Sequence, residues 1–241
     1  MTLKIQNEVT QLDIAPTIAK IYGLDYHCAG SPIKEVVNRF YGSKTILIII
    51  DSLGFDEYIK YADRLPLLTK AAEEGLLYKC LTFIKLTTPS IASILCGLKP
   101  EIHRVYKTGD VYKSSVKSLP EYLSENGIRS GVIMESSGAI TFIGKIDIVA
   151  PIEDREDIVS FDYETLSRTI EIIDRWADFI VAHFRILDKY GYNSETLNHV
   201  NSILMKINQS LPNNWILTIC GDHPPHKTKQ LHVPLIFSNK L

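Results

Sequence analysis

Apolar runs of β type recur along the chain, near residues 45–50, 79–84, 130–134, 178–184, 215–220 and 233–237. Two of them, Thr45-Ile46-Leu47-Ile48-Ile49-Ile50 and Trp215-Ile216-Leu217-Thr218-Ile219-Cys220, are continuous rather than alternating. Strands without a polar face are buried on both sides, as in parallel sheets. Between the runs lie segments with apolar residues at helical spacing, near 65–75, 118–126, 163–177 and 194–209. In the last, Ser194-Glu195-Thr196 opens a helix that carries Leu197, Val200, Ile203, Leu204 and Ile207 on one face. The alternation predicts an α/β fold with a mostly parallel central sheet and helices on both faces.

Two more helices are predicted near the start of the chain. Pro16 to Tyr22 stops at Gly23, and Ile33 to Phe40 follows Ser31-Pro32, read as an N-cap and a first-turn proline. No internal repeat or linker-like stretch divides the chain, so residues 1–241 are read as a single domain.

Composition narrows the class. With 45% hydrophobic and 22% charged residues the chain is an ordinary soluble globular protein. A net charge of −2 supplies no basic surface for nucleic acid or anionic lipid. The apolar runs fall short of the roughly 20 residues of a membrane span, and Met1-Thr2-Leu3-Lys4 opens no signal of the usual form. Cys28, Cys80, Cys96 and Cys220 show no CxxC spacing; they read as reduced thiols of a cytoplasmic protein.

The chemistry gathers where strands end. The 45–50 run meets Asp51 directly, and the 215–220 run ends in Gly221-Asp222-His223. Open α/β sheets carry their sites beyond the carboxyl ends of strands, so these residues are a candidate metal site. A third element, Thr87-Thr88-Pro89-Ser90-Ile91-Ala92-Ser93-Ile94-Leu95-Cys96-Gly97, reads as a buried helix whose first turn offers free N–H groups and the positive dipole end to an anion. A Thr hydroxyl there needs a metal or a base to become a nucleophile. Thr87 is the candidate, with Thr88 as the alternative.

Together these residues resemble the alkaline phosphatase superfamily, in particular its phosphodiesterase and nucleotide-pyrophosphatase branch. The resemblance implies a metal-dependent phosphoesterase that hydrolyses a phosphodiester or nucleotide pyrophosphate through a threonine nucleophile, Thr87. It implies two divalent ions, Zn²⁺ or Mn²⁺: one on Asp51, Asp222 and His223, the other on Asp188 and His226, with His232 as substitute for His226. Gly97-Leu98-Lys99-Pro100-Glu101-Ile102-His103 resembles a family turn that lies away from both metals. Its implied partner is a phosphate-ester small molecule or nucleotide. Thr87, with Ile91 where sulfatases usually carry Arg, disfavours a sulfatase, and no segment is long enough for the second domain of the phosphoglycerate mutase branch.

Two departures stand out. Tyr192 occupies the position, four after Asp188, where the family has a His ligand, and His183 is a conceivable replacement. Loss of that ligand leaves open a degenerate, non-catalytic member that binds a metal, nucleotide or protein. The segment Leu12 to Leu24 resembles one that family members carry after the last ligand, so the chain reads as circularly permuted. No segment reads as a base, sugar or lipid pocket; an open cleft is expected.

Overall fold

In a computed structural model, which describes residues 3–175 and 177–241, eight strands form one sheet. Met1, Thr2 and Trp176 lie outside the described residues, and with them the reading of the first two residues and part of the 163–177 segment. The strands are β1 (Val9–Thr10), β2 (Lys44–Ile50), β3 (Leu76–Leu81), β4 (Ser130–Glu135), β5 (Ile148–Ile152), β6 (Phe179–Phe184), β7 (Trp215–Gly221) and β8 (His232–Asn239). Their order is β1-β3-β8-β7-β2-β6-β4-β5. β8 runs antiparallel to β3 and β7, while the other described pairings are parallel. The mostly parallel α/β architecture read from the sequence is therefore the one observed.

β2, β6 and β7 form the centre and are almost wholly buried. Successive side chains of β2 alternate between two cores. Ile46, Ile48 and Ile50 join one with the helices 66–74, 158–174 and 194–210, whereas Leu47 and Ile49 join the other with 14–21, 34–40, 87–96 and 119–125. Because both faces are covered, the strands need no polar alternation, which is why they read as continuous apolar runs.

Register sets up the site. Ile50 is level with Phe184 on β6 and Gly221 on β7, so Asp51, Arg185 and Asp222 leave the sheet together. Asp51 N–H still donates to Phe184 C=O at 2.8 Å, extending the ladder one residue.

Several boundaries differ from expectation. The 79–84 strand begins at Leu76 and ends at Leu81, because Thr82 turns out of the sheet with its hydroxyl bonded to Ile84 C=O. β5 lacks a clear signal because Pro151 interrupts it; as an edge strand paired only to β4 it tolerates that proline. The helix expected from 163 starts at Ile158, capped by Asp157, whose carboxylate accepts from Ser160 N–H. The Ser31-Pro32 cap is not formed: the helix runs Lys34–Phe40, and Ser31 N–H donates to Asp13 instead.

Gly221 marks the tightest point of this edge. A Cβ there would lie 2.1 Å from Leu53 C=O and 3.0 Å from Val233, so the strand end and the 51–54 turn can meet only across a glycine. Gly221→Ala is expected to lower unfolding free energy by about 1–3 kcal/mol in urea denaturation; an unchanged midpoint would show that the turn yields.

Candidate metal and nucleophile site

Asp51, Asp222 and His223 converge at the carboxyl ends of β2 and β7, all at most 2% exposed. His223 Nε2 lies 3.3 Å from Asp51 Oδ1 and 3.6 Å from Asp222 Oδ2. Its Nδ1 is 2.9 Å from Pro224 C=O. A proton on Nδ1 satisfies that carbonyl and leaves the Nε2 lone pair facing the carboxylates. Thr87 begins the helix Thr87–Cys96, which has Gly97 at φ +64° as its left-handed C-cap. Its Oγ1 stands 3.5 and 3.4 Å from the two Asp51 oxygens and 3.4 Å from His223 Nε2. Thr88 points elsewhere, its hydroxyl 3.2 Å from that of Thr108.

The turn after β2 is held in an uncommon conformation. Ser52 has φ +59°, a left-handed backbone that a non-glycine residue adopts only when its surroundings hold it there. Ser52 N–H donates to Asp222 Oδ1 at 3.0 Å, and Ser52 Oγ donates to Asp188 Oδ1 at 2.7 Å. Asp188 sits on the helix Ile186–Tyr190, with His226 Nε2 at 3.3 Å. The His226 ring is 4.8 Å from that of His223. Two donor groups result: Asp51, His183 and Asp222, all buried, and Asp188, His223 and His226, more open.

His183 and Glu135 are the residues that sequence reasoning largely missed. His183 lies inside β6, fully buried, with Nδ1 3.0 Å from Glu135 Oε2 and Nε2 3.8 Å from Asp51 Oδ2. Its signal was a lone imidazole in an apolar run; Glu135 is the last residue of β4, much as Asp51 directly follows β2. Tyr192 takes no place among the donors. Its hydroxyl donates to Ser52 C=O at 2.7 Å and accepts from Gly54 N–H at 3.0 Å, and its ring stacks on Tyr61. The residue in the expected ligand position is thus a brace under the Asp51 turn. His232 pairs with Glu8, and His103 is buried between Ser93 Oγ and Val105 N–H.

An apolar pocket lies beside the helix Thr87–Cys96. Ile91, Leu95, Val105, Met134 and Phe142 line it, with Thr88 and Glu135 among its polar members.

Burial governs the charges. It pushes the Asp51 carboxyl well above the usual carboxylate range, helped by the negative charges of Asp222, Asp188 and Glu135. Asp222 is raised too, by burial, although His223, His183 and two backbone N–H groups oppose the shift. Burial also works to raise Glu135, but the charge and hydrogen bond of His183 outweigh it and bring its pKa down to about 2. Burial pulls His183 down, yet Glu135 and Asp222 leave it raised overall. Asp222 Oδ2 and His183 Nε2 have no hydrogen-bond partner among the described residues. Buried, unpartnered and aimed at one point, these lone pairs fit a divalent cation. The mixed carboxylate and imidazole set suits Zn²⁺ or Mn²⁺ better than the all-oxygen shells of Ca²⁺.

Solved structures that share this fold include members of the alkaline phosphatase superfamily. Residues 43–234 match the family model described as Sulfatase, and the chain belongs to that family. Similar solved structures include a 2-O GAG sulfatase (14% identity, TM-score 0.64, covering 82% of this chain and 64% of that one). Phosphonoacetate hydrolase from Sinorhizobium meliloti 1021, in complex with phosphonoacetate, gives 11%, 0.65, 77% and 57%. Murine ectonucleotide pyrophosphatase / phosphodiesterase 5 gives 17%, 0.62, 75% and 57%. The chain spans less than two thirds of the length of each. No curated protein matches it. No helix among the described residues is long and apolar enough to cross a membrane.

The raised carboxyls predict how metal and pH act together. A carboxyl whose folded pKa exceeds its unfolded value favours folding at low pH, and that contribution is lost as pH rises through the folded value. Metal-free protein therefore loses the contribution of Asp51 and Asp222 as pH rises through their raised folded values, and a bound cation takes the place of the protons. Added Zn²⁺ or Mn²⁺ should raise Tm more at about pH 7.5 than at about pH 5.5, with proton release on binding. Scanning calorimetry and titrations in buffers of different ionisation enthalpy read both; equal Tm gains at the two pH values would contradict the assignment.

Proposed function

We propose that the protein is a metal-dependent phosphoesterase that cleaves a phosphodiester or nucleotide pyrophosphate through Thr87. The observation that carries this reading is the position of Thr87 Oγ1, within 3.5 Å of both Asp51 oxygens and His223 Nε2 at the start of a buried helix. A divalent ion held by Asp51, Asp222 and His223 lowers the pKa of the Thr87 hydroxyl and offsets charge on the phosphoryl oxygens when bound. Asp51 accepts the hydrogen bond of that hydroxyl and fixes its direction. Thr87 oxygen then forms a bond to phosphorus as the bond to the leaving oxygen breaks, giving phosphothreonine. Free N–H groups in the first turn of the helix receive the non-bridging oxygens. Water attacks phosphorus in the second step and releases Thr87.

Asp188 and His226 would hold a second ion, which would offset the charge that develops on the leaving oxygen. Within the sulfatase family, phosphate esters are favoured over sulfate esters because the nucleophile position holds Thr87, which cannot be oxidised as Cys or Ser is. Ile91, where an Arg would follow, is 7% exposed among apolar neighbours. The substrate is a small phosphate ester or nucleotide; four free cysteines favour a cytoplasmic setting.

A second reading is a non-catalytic binding protein, and Tyr192 favours it, because its hydroxyl is committed to the 51–54 turn. Hydrolysis of bis-p-nitrophenyl phosphate and p-nitrophenyl phosphate, with Zn²⁺ or Mn²⁺, separates the two. Thr87→Ala and Asp51→Asn should each lose at least about 10³-fold in kcat. Folded protein inactive with every metal would leave the binding reading, and full activity in Thr87→Ala would remove the threonine mechanism.

The circular permutation belongs to the same proposal, with residues 1–241 as one domain. Gln11 amide donates to the Asp222 carbonyl, and Ile5 bridges to Leu77, whose other neighbour is Ile236 on β8. The segment before β2 thus packs next to the strand that ends the core. A variant joining Leu241 to Met1 by a short linker and opened at exposed Gly42 should fold with an unchanged circular dichroism spectrum. Failure of that variant to fold would count against the permutation.

A further inference from the structure

We infer that His183 is an additional ligand of the buried metal, held in place by Glu135. This inference rests on the proposed metal site and adds a protein donor to it. Three observations carry it. His183 is fully buried in β6, yet its Nε2 has no hydrogen-bond partner among the described residues. That nitrogen, an Asp51 oxygen and an Asp222 oxygen all lie within 4.8 Å of one another, the spread of donors around one ion. Asp222 Oδ2 is likewise buried without a hydrogen-bond partner among the described residues, 3.6 Å from His223 Nε2.

The other ring nitrogen explains the orientation. Nδ1 stands 3.0 Å from Glu135 Oε2. A carboxylate that accepts from one imidazole nitrogen fixes the tautomer, aims the other nitrogen and strengthens it as a donor. Pro224 C=O does the same for His223. The two imidazoles approach Asp51 from different oxygens, His223 nearest Oδ1 and His183 nearest Oδ2. Asp51 then stands between the two imidazoles, with the Thr87 hydroxyl within 3.5 Å of both its oxygens. A set with two imidazoles selects Zn²⁺, Co²⁺ or Mn²⁺ over Mg²⁺.

The alternative role for His183 is a protonated brace that neutralises Asp51 and Glu135 without touching metal. Co²⁺ distinguishes the two, because ring N–H protons of coordinated imidazoles carry paramagnetically shifted NMR signals and those of a remote imidazolium do not. In His226→Ala protein with one equivalent of Co²⁺, two exchangeable shifted ring signals are expected, from His183 and His223. His183→Gln should lose one of them and weaken Zn²⁺ binding, measured by competition with a chelator, by roughly 10-fold or more. Glu135→Gln should keep both signals but weaken binding roughly 10- to 100-fold.

Circular dichroism on each variant verifies folding. Should His183→Gln fail to fold, Glu135→Gln still decides, since a ligand loses affinity with its orienting carboxylate and a brace does not. If the parent shows one shifted signal, or His183→Gln binds Zn²⁺ as the parent does, His183 is not a ligand and the proposed function stands. If the parent binds no metal, the proposed function fails and this inference with it.

Discussion

Two buried carboxylates at the ends of adjacent strands are the constraint on which this molecule turns. Asp51 and Asp222 are 2% and 0% exposed, with donor oxygens inside 4.8 Å. Two unit charges at that separation repel by about 3–4 kcal/mol at an effective dielectric constant of about 20. Against a net stability of about 5–15 kcal/mol for a domain, the ionised pair needs compensation, and both carboxyls are accordingly raised. Partial compensation is visible: Ser52 and His223 N–H groups both donate to Asp222 Oδ1. The other oxygen is left without a partner among the described residues. Under the proposed reading a cation completes the balance, and the site is stable as a metal complex rather than as a set of side chains.

The loops that carry the site are braced from distant parts of the chain. Tyr192 holds Ser52 and Gly54 in the turn after β2. Gln11, fully buried, donates to the carbonyls of Gly221 and Asp222 at the end of β7. Buried Asp162 accepts from Arg185 and Ile186 N–H, fixing the start of the segment that leads to Asp188. Lys85, just before the helix Thr87–Cys96, reaches Thr228 C=O in the loop that carries His226. Each brace replaces water at a backbone group that the strand ends leave unpaired. Each also limits the motion of a candidate site residue, which is how a sheet edge made of loops becomes rigid.

How legible this was in the sequence depends on the kind of interaction. Continuous runs such as Ile46–Ile50 and Ile216–Cys220 disclosed the central strands, because burial on both faces leaves a one-dimensional signature. Asp51 and Asp222-His223 were legible for a related reason, since a polar residue directly after an apolar run is conspicuous, and Thr87 because it opens a helix of small and apolar residues. Glu135 stands at such an end too, but the Ser130–Met134 run before it is short and begins polar. His183 was noticed without a place, because its meaning depends on the alignment of β6 with β2 and β4, which is long-range. Tyr192 was misleading for the opposite reason. Spacing from Asp188 placed it at a ligand position, whereas Gly191, at φ +67°, redirects the chain and sends the ring under the Asp51 turn.

The two donor groups differ in burial, and that difference bears on mechanism. Asp51, Asp222 and His183 are all buried, while in the other group only His223 is, and the side chains of Asp188 and His226 are 35% and 55% exposed. Buried donors fixed by a sheet lose little conformational freedom on binding an ion, whereas exposed ones must be ordered first. Under the proposed function the deep position therefore holds its ion through the whole cycle and keeps Thr87 poised. The outer one gains its full donor set when a phosphate ester adds oxygens of its own. Tyr192 is compatible with that division, because an outer ion completed by substrate needs one protein ligand fewer than an ion that is permanently resident.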